Sequence, residues 1–292
     1  MEMINKKHLD LLIRKSLKED IGKKDITTHF LFSENKNVKA ELICKENGIL
    51  CGIEVFKKVF LSLSPKFSFK FFSKDGEKVK KNQIVGIIKG PLKELLSGER
   101  TALNFLQHLS GIATLTKKFV DIVEGKIKIL DTRKTTPTLR SLEKYAVKIG
   151  GGNNHRFGLY DMVLIKDNHI STYMKIKRIK KEDAIYQMVK VAKEKAKGKF
   201  KVEIEVENLK EAKNAYYAGA DIIMFDNAKI KDIKKFNEFL SKNNNKVIIE
   251  WSGKVNLKNI KNIKNIPIDW VSIGALTHSA PAMDFSIKVK ET

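Results

Sequence analysis

The sequence predicts an α/β protein whose second half is an open, incomplete barrel of about six parallel strands. From about residue 126, short apolar runs recur and stretches with helical spacing separate them. Such alternation is typical of βαβ units around a parallel sheet. Only about 150 residues remain for this part, which is too few for a complete eight-stranded barrel. The first half has a different rhythm and predicts a separate, β-rich region.

Three segments make up the first half. Residues 3–19 place apolar side chains at helical spacing, and residues 38–90 alternate apolar and polar residues between turn signals such as Asp75-Gly76. This second pattern predicts strands joined by hairpin-like turns. Residues 91–123 carry leucines and isoleucines at helical spacing. They predict one long helix, or two helices broken near Gly98 or Gly111.

The second half contains six apolar runs that predict the strands of the barrel. They occupy residues 126–130, 161–166, 200–206, 221–226, 246–250 and 270–274. Helical spacing lies between several of them, as at residues 184–196 and 208–220. Each run is as short as a strand of a parallel sheet should be.

Composition narrows the class of protein. Hydrophobic residues make up 42% and charged residues 31%, which is ordinary for a soluble protein. The charged N-terminal residues do not resemble a secretory signal, and no apolar stretch approaches a membrane span. The only cysteines, Cys44 and Cys51, lack a CxxC spacing and predict two buried thiols. We therefore expect a cytoplasmic protein without a membrane segment.

The formal net charge of +23 raises the possibility of nucleic-acid binding. Only six of the 57 basic residues are arginines, however, and the lysines are spread over the whole chain. This dispersion predicts no specific nucleic-acid partner. Four of the six arginines lie between positions 100 and 156. An arginine retained among so many lysines suggests bidentate recognition of a carboxylate or phosphate, or a structural ion pair.

Charged and small residues follow the predicted strands. Arg133 and Lys134 follow the first strand, Lys166 follows the second, and Arg156 lies in a glycine-rich loop between them. Ligands of α/β folds bind at the carboxyl ends of the strands. The alternative is that loops after strands are polar in any protein. The concentration of cations favours an anionic ligand.

Other strand ends supply carboxylates and a candidate phosphate cup. Glu205 and Asp226 lie on successive strands and could hold a sugar or Mg²⁺, or could pair with nearby lysines. Ser252-Gly253 precedes a predicted helix and resembles a phosphate-binding helix N-terminus. The combination predicts a ligand with a sugar, a phosphate and a metal ion. Cationic clamps with little acid–base machinery suit a reaction that depends on electrostatic positioning.

At these residues the chain resembles the quinolinate phosphoribosyltransferase family. The resemblance covers residues 98–114 and 131–170 and continues through the later strands. It implies an N-terminal α/β sandwich domain, residues 1–115 joined by 276–292, and an open barrel domain, residues 116–275. It further implies transfer of a phosphoribosyl group from phosphoribosyl pyrophosphate to quinolinate with loss of CO₂, in NAD biosynthesis. The implied assembly is a homodimer or a higher homo-oligomer.

The resemblance also implies a set of site residues. Lys134, Lys166, Glu205 and Asp226 would be catalytic, with Glu205 and Asp226 near the Mg²⁺ that arrives with phosphoribosyl pyrophosphate. The substrates would contact a larger set, in which Arg100 comes from the partner subunit: Arg100, Thr132, Arg133, Lys134, His155, Arg156, Lys166, Glu205, Asp226, Ser252, Gly253, Lys254, Ser272, Ile273 and Gly274.

Two features depart from the family pattern, and two other functions remain open. Lys254 stands where the family usually has a small residue, and residues 171–183 form a longer, lysine-rich segment that could be a flap or a solvated surface. A molybdenum-associated paralogue of the family would share the fold without the quinolinate clamp. That paralogue is disfavoured because this chain has the complete clamp: Arg133, Lys134, His155, Arg156 and Lys166. A nucleic-acid-binding protein would show strongly salt-dependent affinity.

Overall fold

The computed structural model describes residues 5–243 and 246–290. The first two positions of the helix predicted from residue 3, and residues 291–292 of the predicted C-terminal segment, lie outside this range. The first nine elements, which end with the long helix α4, are α1 (Lys6–Ile21), α2 (Ile26–Leu31), β1 (Asn37–Cys44), β2 (Gly48–Ile49), α3 (Ile53–Leu63), β3 (Ser68–Phe71), β4 (Lys78–Val79), β5 (Ile84–Pro91) and α4 (Leu92–Val123).

The remaining elements alternate strand and helix before a final strand. They are β6 (Lys128–Leu130), α5 (Arg140–Ile149), β7 (Val163–Ile165), α6 (Asp167–Lys177), α7 (Lys181–Ala196), β8 (Val202–Val206), α8 (Leu209–Tyr217), β9 (Ile222–Asp226), α9 (Ile230–Leu240), β10 (Ile248–Ser252), α10 (Ile260–Ile263), β11 (Trp270–Ser272), α11 (Ala275–His278) and β12 (Phe285–Lys290). All six predicted barrel strands are therefore confirmed.

The chain divides into two compact units. One contains residues 1–117, 135–151 and 276–292, and the other contains residues 118–134 and 152–275. Relative to the domains expected from the sequence, the main difference is α5, which lies within 135–151 and belongs to the first unit. The long segment at 91–123 forms one continuous helix, α4, so neither Gly98 nor Gly111 breaks it.

The first unit is built on a four-stranded antiparallel sheet. Its strand order is β12-β1-β5-β3, and β12 pairs with β1 from Phe285–Cys44 to Lys290–Lys39. Helix α1 buries Leu9, Ile13 and Leu17, which are spaced four residues apart and form one apolar stripe. Helices and an antiparallel sheet packed together confirm the α/β character expected of this region.

The second unit contains the six-stranded parallel sheet of the open barrel. Its order is β6-β11-β10-β9-β8-β7, so β6 and β7 are the two edge strands. Residues 222–225 of β9 are all buried, as parallel strands covered on both faces require. In the register of the sheet, Asp226 lies beside Ser252, and Ser252 beside Ser272. The carboxyl ends of three neighbouring strands therefore meet at one edge. The predicted fold class is confirmed.

Candidate active site

A cavity of about 440 Å³ opens at the carboxyl ends of the barrel strands. Nearly all its charged and hydroxyl side chains were predicted from sequence: Thr132, Arg133, Lys134, His155, Arg156, Lys166, Glu205, Asp226, Ser252 and Ser272. They come from segments that are far apart in sequence. The parallel register brings them together because every strand delivers its last residues to the same edge.

Three further residues line the cavity and were missed as site residues: Leu164, Asp167 and Met224. Strand periodicity could have found two of them. Leu164 precedes Lys166 by two positions and Met224 precedes Asp226 by two, so the period of an extended strand predicts one face for each pair. Apolar groups below the charged ones give the cavity a surface for a planar ring.

Four predicted residues do not line this cavity: Gly253, Lys254, Ile273 and Gly274. Gly253 nevertheless has a steric reason to be glycine. Its φ is +106°, and a Cβ there would lie 2.3 Å from Oδ1 of Asn227. Lys254 also has a positive φ, +40°, and its side chain is exposed. The predicted helix does not follow directly, since α10 begins at Ile260 and has four residues. The expectation of a helix N-terminus at Ser252-Gly253 was therefore wrong.

Arg100 lies on α4 in the first unit, with an exposed side chain. The residues that line the cavity belong to the second unit. The segment 171–183 was expected to be a flap or a solvated surface. It is largely helical, with residues 171–177 in α6 and residues 181–183 in α7. Most of its lysines are exposed, which matches a solvated surface.

Lys166 and Glu205 form an ion pair at the cavity wall. Nζ of Lys166 donates to Oε1 of Glu205 at 2.7 Å, and the backbone N–H of Asp167 donates to Oε2 at 3.2 Å. Nδ1 of His169 accepts the backbone N–H of Lys166 at 2.9 Å. Glu205 and His169 thus fix the start of α6. Glu205 thus already pairs with the charge of Lys166, in agreement with the alternative that Glu205 pairs with a nearby lysine.

The loop that carries His155 and Arg156 is anchored to the end of β6. The backbone N–H of His155 donates to Oδ1 of buried Asp131 at 3.0 Å, and Nδ2 of Asn154 donates to Oδ2. Asn153 forms a parallel bridge with Leu130. At its far side, Nη1 of Arg156 donates to the carbonyl of Met162 at 3.0 Å. Hydrogen bonds therefore hold this loop at both sides, to the end of edge strand β6 and to the residue before edge strand β7.

Arg156 is 7% exposed, and its Nε has no hydrogen-bond partner among the described residues. Burial, followed by the nearby charge of Arg133, lowers the pKa of Arg156, and neighbouring carboxylates oppose this effect. A guanidinium remains charged at neutral pH despite such a shift. Because Arg133 and Arg156 bring two positive charges to this part of the cavity, it favours an anionic ligand.

His155, Glu203 and Glu250 form a buried group below the cavity. Nε2 of His155 lies 3.0 Å from Oε2 of Glu203 and 3.5 Å from Oε2 of Glu250. Burial lowers the pKa of His155, but the two carboxylates outweigh it and raise that pKa to about 10. Burial and the charge of Glu250 raise the pKa of Glu203 to about 7. His155 and Glu203 therefore retain more protons at neutral pH than the isolated side chains would.

The contacts of the His155 ring decide where those protons reside. Nδ1 of His155 accepts the backbone N–H of Arg156 at 2.8 Å. An accepting Nδ1 carries no proton, so a single ring proton would be on Nε2, the nitrogen that lies within ion-pair distance of both carboxylates. Both ring nitrogens of His155 face protein atoms, although the resemblance implied a direct substrate contact.

Comparison with known proteins agrees with this geometry. Residues 25–110 match the family model for the N-terminal domain of quinolinate phosphoribosyl transferase, and residues 112–288 match that for its C-terminal domain. A probable nicotinate-nucleotide pyrophosphorylase [carboxylating] of Bacillus subtilis is 39% identical over 97% of this chain and 94% of its own. The corresponding protein of Methanocaldococcus jannaschii is 40% identical over 95% and 96%.

Solved structures extend the similarity to the fold. The crystal structure of NadC from Streptococcus pyogenes has a TM-score of 0.89 with 39% identity over 98% of both chains. A NadC deletion mutant has a TM-score of 0.91 with 38% identity over 99% of both chains. No helix among the described residues is both long and apolar enough to cross a membrane. Strand-end cations, both domain matches and full-length relatives lead to one conclusion: the chain belongs to the quinolinate phosphoribosyltransferase family.

Proposed function

We propose that this protein transfers the phosphoribosyl group of phosphoribosyl pyrophosphate to the ring nitrogen of quinolinate. Pyrophosphate and CO₂ leave, and the product is nicotinate mononucleotide, a precursor of NAD. One observation carries the proposal: four basic side chains and three carboxylates line a single cavity at the strand ends. A relative in Nicotiana tabacum, 35% identical over 95% of this chain, is named quinolinate phosphoribosyltransferase [decarboxylating] 2b.

Arg133, Arg156 and Lys166 would bind the dicarboxylate. Guanidinium groups match the planar geometry of carboxylates and can bind them bidentately. Lys134 is exposed at the cavity, where it would contact a phosphate group as a mobile point charge. This excess of cations over what one carboxylate needs favours quinolinate over nicotinate.

Glu205 and Asp226 would stabilise the positive charge that develops on the ribosyl group. As the bond from ribose C1 to the pyrophosphate oxygen breaks, C1 acquires oxocarbenium character before the quinolinate nitrogen bonds to it. Carboxylates held beside this carbon stabilise the transition state more than the ground state. Thr132, Ser252 and Ser272 line the same cavity. Together with Gly253, Lys254, Ile273 and Gly274 they would contact the phosphates.

Decarboxylation would follow at the ring carbon next to the new C–N bond. The carboxylate leaves as CO₂, and its bonding electron pair stays on that carbon until the carbon takes a proton. The positive ring nitrogen and the cations of the cavity would stabilise this pair. The role of the protein in this step is therefore to hold the carboxylate beside fixed positive charge.

Mg²⁺ would arrive with phosphoribosyl pyrophosphate. Mg²⁺ is usually bound by one or two carboxylates together with substrate phosphates and water. Glu205 and Asp226 supply oxygen ligands at the cavity and fit this pattern. Removal of the metal with EDTA should abolish turnover, and added Mg²⁺ should restore it.

The central assay compares the two pyridine acids. The protein, phosphoribosyl pyrophosphate and Mg²⁺ are incubated with quinolinate or with nicotinate, and nicotinate mononucleotide and CO₂ are measured. We expect rapid turnover of quinolinate, because nicotinate leaves part of the cationic clamp unpaired. Equal or faster turnover of nicotinate would reject the assignment. Salt-sensitive binding of DNA in place of turnover would favour a nucleic-acid function.

The same proposal includes a cytoplasmic homodimer, or higher homo-oligomer, in which Arg100 serves the site of the partner subunit. Arg100→Ala and Lys134→Ala should each be nearly inactive. In a heterodimer of the two variants, one site carries both defects and the other carries neither. Random mixing should therefore restore about a quarter of the sites. If mass spectrometry confirms subunit exchange and activity does not return, Arg100 does not act across subunits.

A further inference from the structure

The His155 cluster, defined as His155, Glu203 and Glu250, lies at the cavity, and the proposed chemistry gives these three residues no role. Glu203 on β8 and Glu250 on β10 are both 0% exposed. Each precedes a cavity residue by two positions, Glu205 and Ser252 respectively. The two carboxylates therefore lie on the same faces as the cavity residues, one layer deeper in the sheet. Burial of two carboxylates is costly, so their placement requires a compensating interaction.

The compensating interaction is with His155. Its Nε2 lies within ion-pair distance of both carboxylates, and the hydroxyl of Ser272 donates to Oε1 of Glu250. The opposite ring nitrogen, Nδ1, accepts the backbone N–H of Arg156 at 2.8 Å. The imidazole thus connects the two carboxylates directly to the backbone of Arg156.

A metal site is the first alternative, since one atom each of His155, Glu203 and Glu250 lie close enough together to bind one ion. A metal bound to Nε2 would require the proton of the ring to be on Nδ1, which would then act as a donor. Here Nδ1 accepts a hydrogen bond from a backbone N–H. The geometry therefore favours a proton on Nε2 over a metal ion.

Arg156 is consequently held at two points. His155 fixes its backbone N–H, and the carbonyl of Met162 fixes Nη1 of its guanidinium. Among the other donors of the guanidinium, Nε is buried and has no hydrogen-bond partner among the described residues. A bidentate contact with a carboxylate depends on placing the guanidinium to within about an ångström. Any displacement of the His155 ring would move the backbone from which Arg156 extends.

We propose that Glu203 and Glu250 are positioning residues for recognition of the dicarboxylate. They hold the His155 ring through Nε2, and the ring holds Arg156 in place at the cavity wall. This inference rests on the proposed role of Arg156 in binding quinolinate. It assigns to His155 an indirect role, because neither ring nitrogen is directed at the substrate.

The test compares three variants of buried carboxylates. Glu203→Met removes the charge and the acceptor at similar volume, whereas Glu203→Gln keeps a carbonyl acceptor. Glu211→Gln is the matched control, since Glu211 is 4% exposed in the same unit but belongs to α8 and accepts the backbone N–H of Glu207. KM for each substrate, kcat and the melting temperature are measured for all three, and quinolinate binding is measured by calorimetry.

We expect Glu203→Met to raise the KM and the dissociation constant for quinolinate by at least about tenfold, with little change in the KM for phosphoribosyl pyrophosphate. Glu203→Gln should recover most of the affinity, and Glu211→Gln should change only the melting temperature. The proposal is wrong if Glu203→Met alters stability alone, as the control does, or if both KM values rise equally. Stoichiometric zinc or manganese that is retained by the wild type and lost in Glu203→Gln would also overturn it.

Two further measurements keep the test decisive. If Glu203→Met does not fold, Glu250→Met is measured in its place, with the same expected loss of quinolinate affinity and the same contrary outcome. Failure of the wild type to bind or convert quinolinate would reject the proposed function itself. A wild type that converts quinolinate, alongside a folded Glu203→Met variant with unchanged affinity, would reject only the positioning role.

Discussion

Glu203 and Glu205 lie two positions apart on β8 and project from the same face of the sheet. The side chain of Glu205 is 13% exposed and accepts from Lys166, whereas that of Glu203 is fully buried beside His155. The same contrast occurs on β10 between Ser252, which lines the cavity, and buried Glu250. The barrel thus has an outer polar layer in contact with the cavity and an inner polar layer that supports it.

Polarity alone therefore does not identify a substrate-binding residue at a strand end. Outer residues can be removed without leaving a large cavity, so their substitution should affect chemistry more than stability. Inner residues are paired in a buried environment, where the loss of one partner leaves another uncompensated. Activity and stability measured together distinguish the two layers.

The largest expected effect is on Asp226 of the outer layer. Asp226→Ala should lower kcat by about 10²–10³-fold, as removal of one electrostatic group at a developing charge commonly does. Its melting temperature should change little, because the residue is part-exposed at the end of β9. Glu203→Ala is the inner-layer counterpart and should lose about 3–5 kcal/mol of unfolding free energy.

Steady-state kinetics and thermal unfolding of the same preparations check this pair. An Asp226→Ala protein that melts several degrees lower yet keeps full activity per folded molecule would make Asp226 structural. The outer layer could then no longer be defined as the set of residues that serve chemistry rather than stability.

An intermediate effect is expected at Gly253, which adjoins the outer layer. Gly253→Ala should cost about 1–3 kcal/mol of stability, because an alanine is strained at a φ of +106°. Its Cβ would also displace Asn227, which donates from Nδ2 to Asp226 at 3.2 Å. The KM for phosphoribosyl pyrophosphate should therefore rise.

Gly219→Ala provides the matched control for this substitution. Gly219 has a φ of +90°, and a Cβ there would meet no atom within 4 Å. The control carries the backbone strain without the collision, so it should lower the melting temperature and leave both KM values unchanged. Equal kinetic parameters for the two variants would mean that Asn227 does not support the outer layer.

The outer layer was largely predictable from sequence, and the inner layer was not. Arg133, Lys166 and Asp226 follow apolar runs, and the parallel topology places the end of every run at one edge. Glu203 and Glu250 instead lie inside runs that should be apolar, and this exception was the available signal. Sequence could not pair them with His155, because the contact depends on the path of the loop between α5 and β7. The helix predicted after Ser252-Gly253 is present as α10 but begins only at Ile260, because the spacing of asparagine and lysine does not define where a helix begins.

Substitution of a carboxylate outside both layers should have the smallest effect on activity and stability. It provides the reference for substitutions in the two layers. Asp25 is the N-cap of α2, where its side chain accepts the backbone N–H of Thr28 at 3.0 Å and the hydroxyl of Ser97 at 3.0 Å. Asp25→Ala should lose about 1 kcal/mol of unfolding free energy. Asp25→Asn should lose less, because asparagine also caps helices. Neither change should alter kcat or KM, because Asp25 belongs to the first unit and does not line the cavity.

The pH dependence of this loss follows from the same hydrogen bonds. The side chain of Thr28, and then its backbone N–H, lower the pKa of Asp25 in the folded protein. A lowered folded-state pKa contributes stability above the unfolded value of about 3.9 and loses it as pH falls through the folded-state value. The difference in stability between wild type and Asp25→Ala should therefore be complete at neutral pH and shrink in acid. Chemical denaturation at several pH values measures it, and a difference that stays constant into acid would show that the ionised carboxylate does not cap the helix.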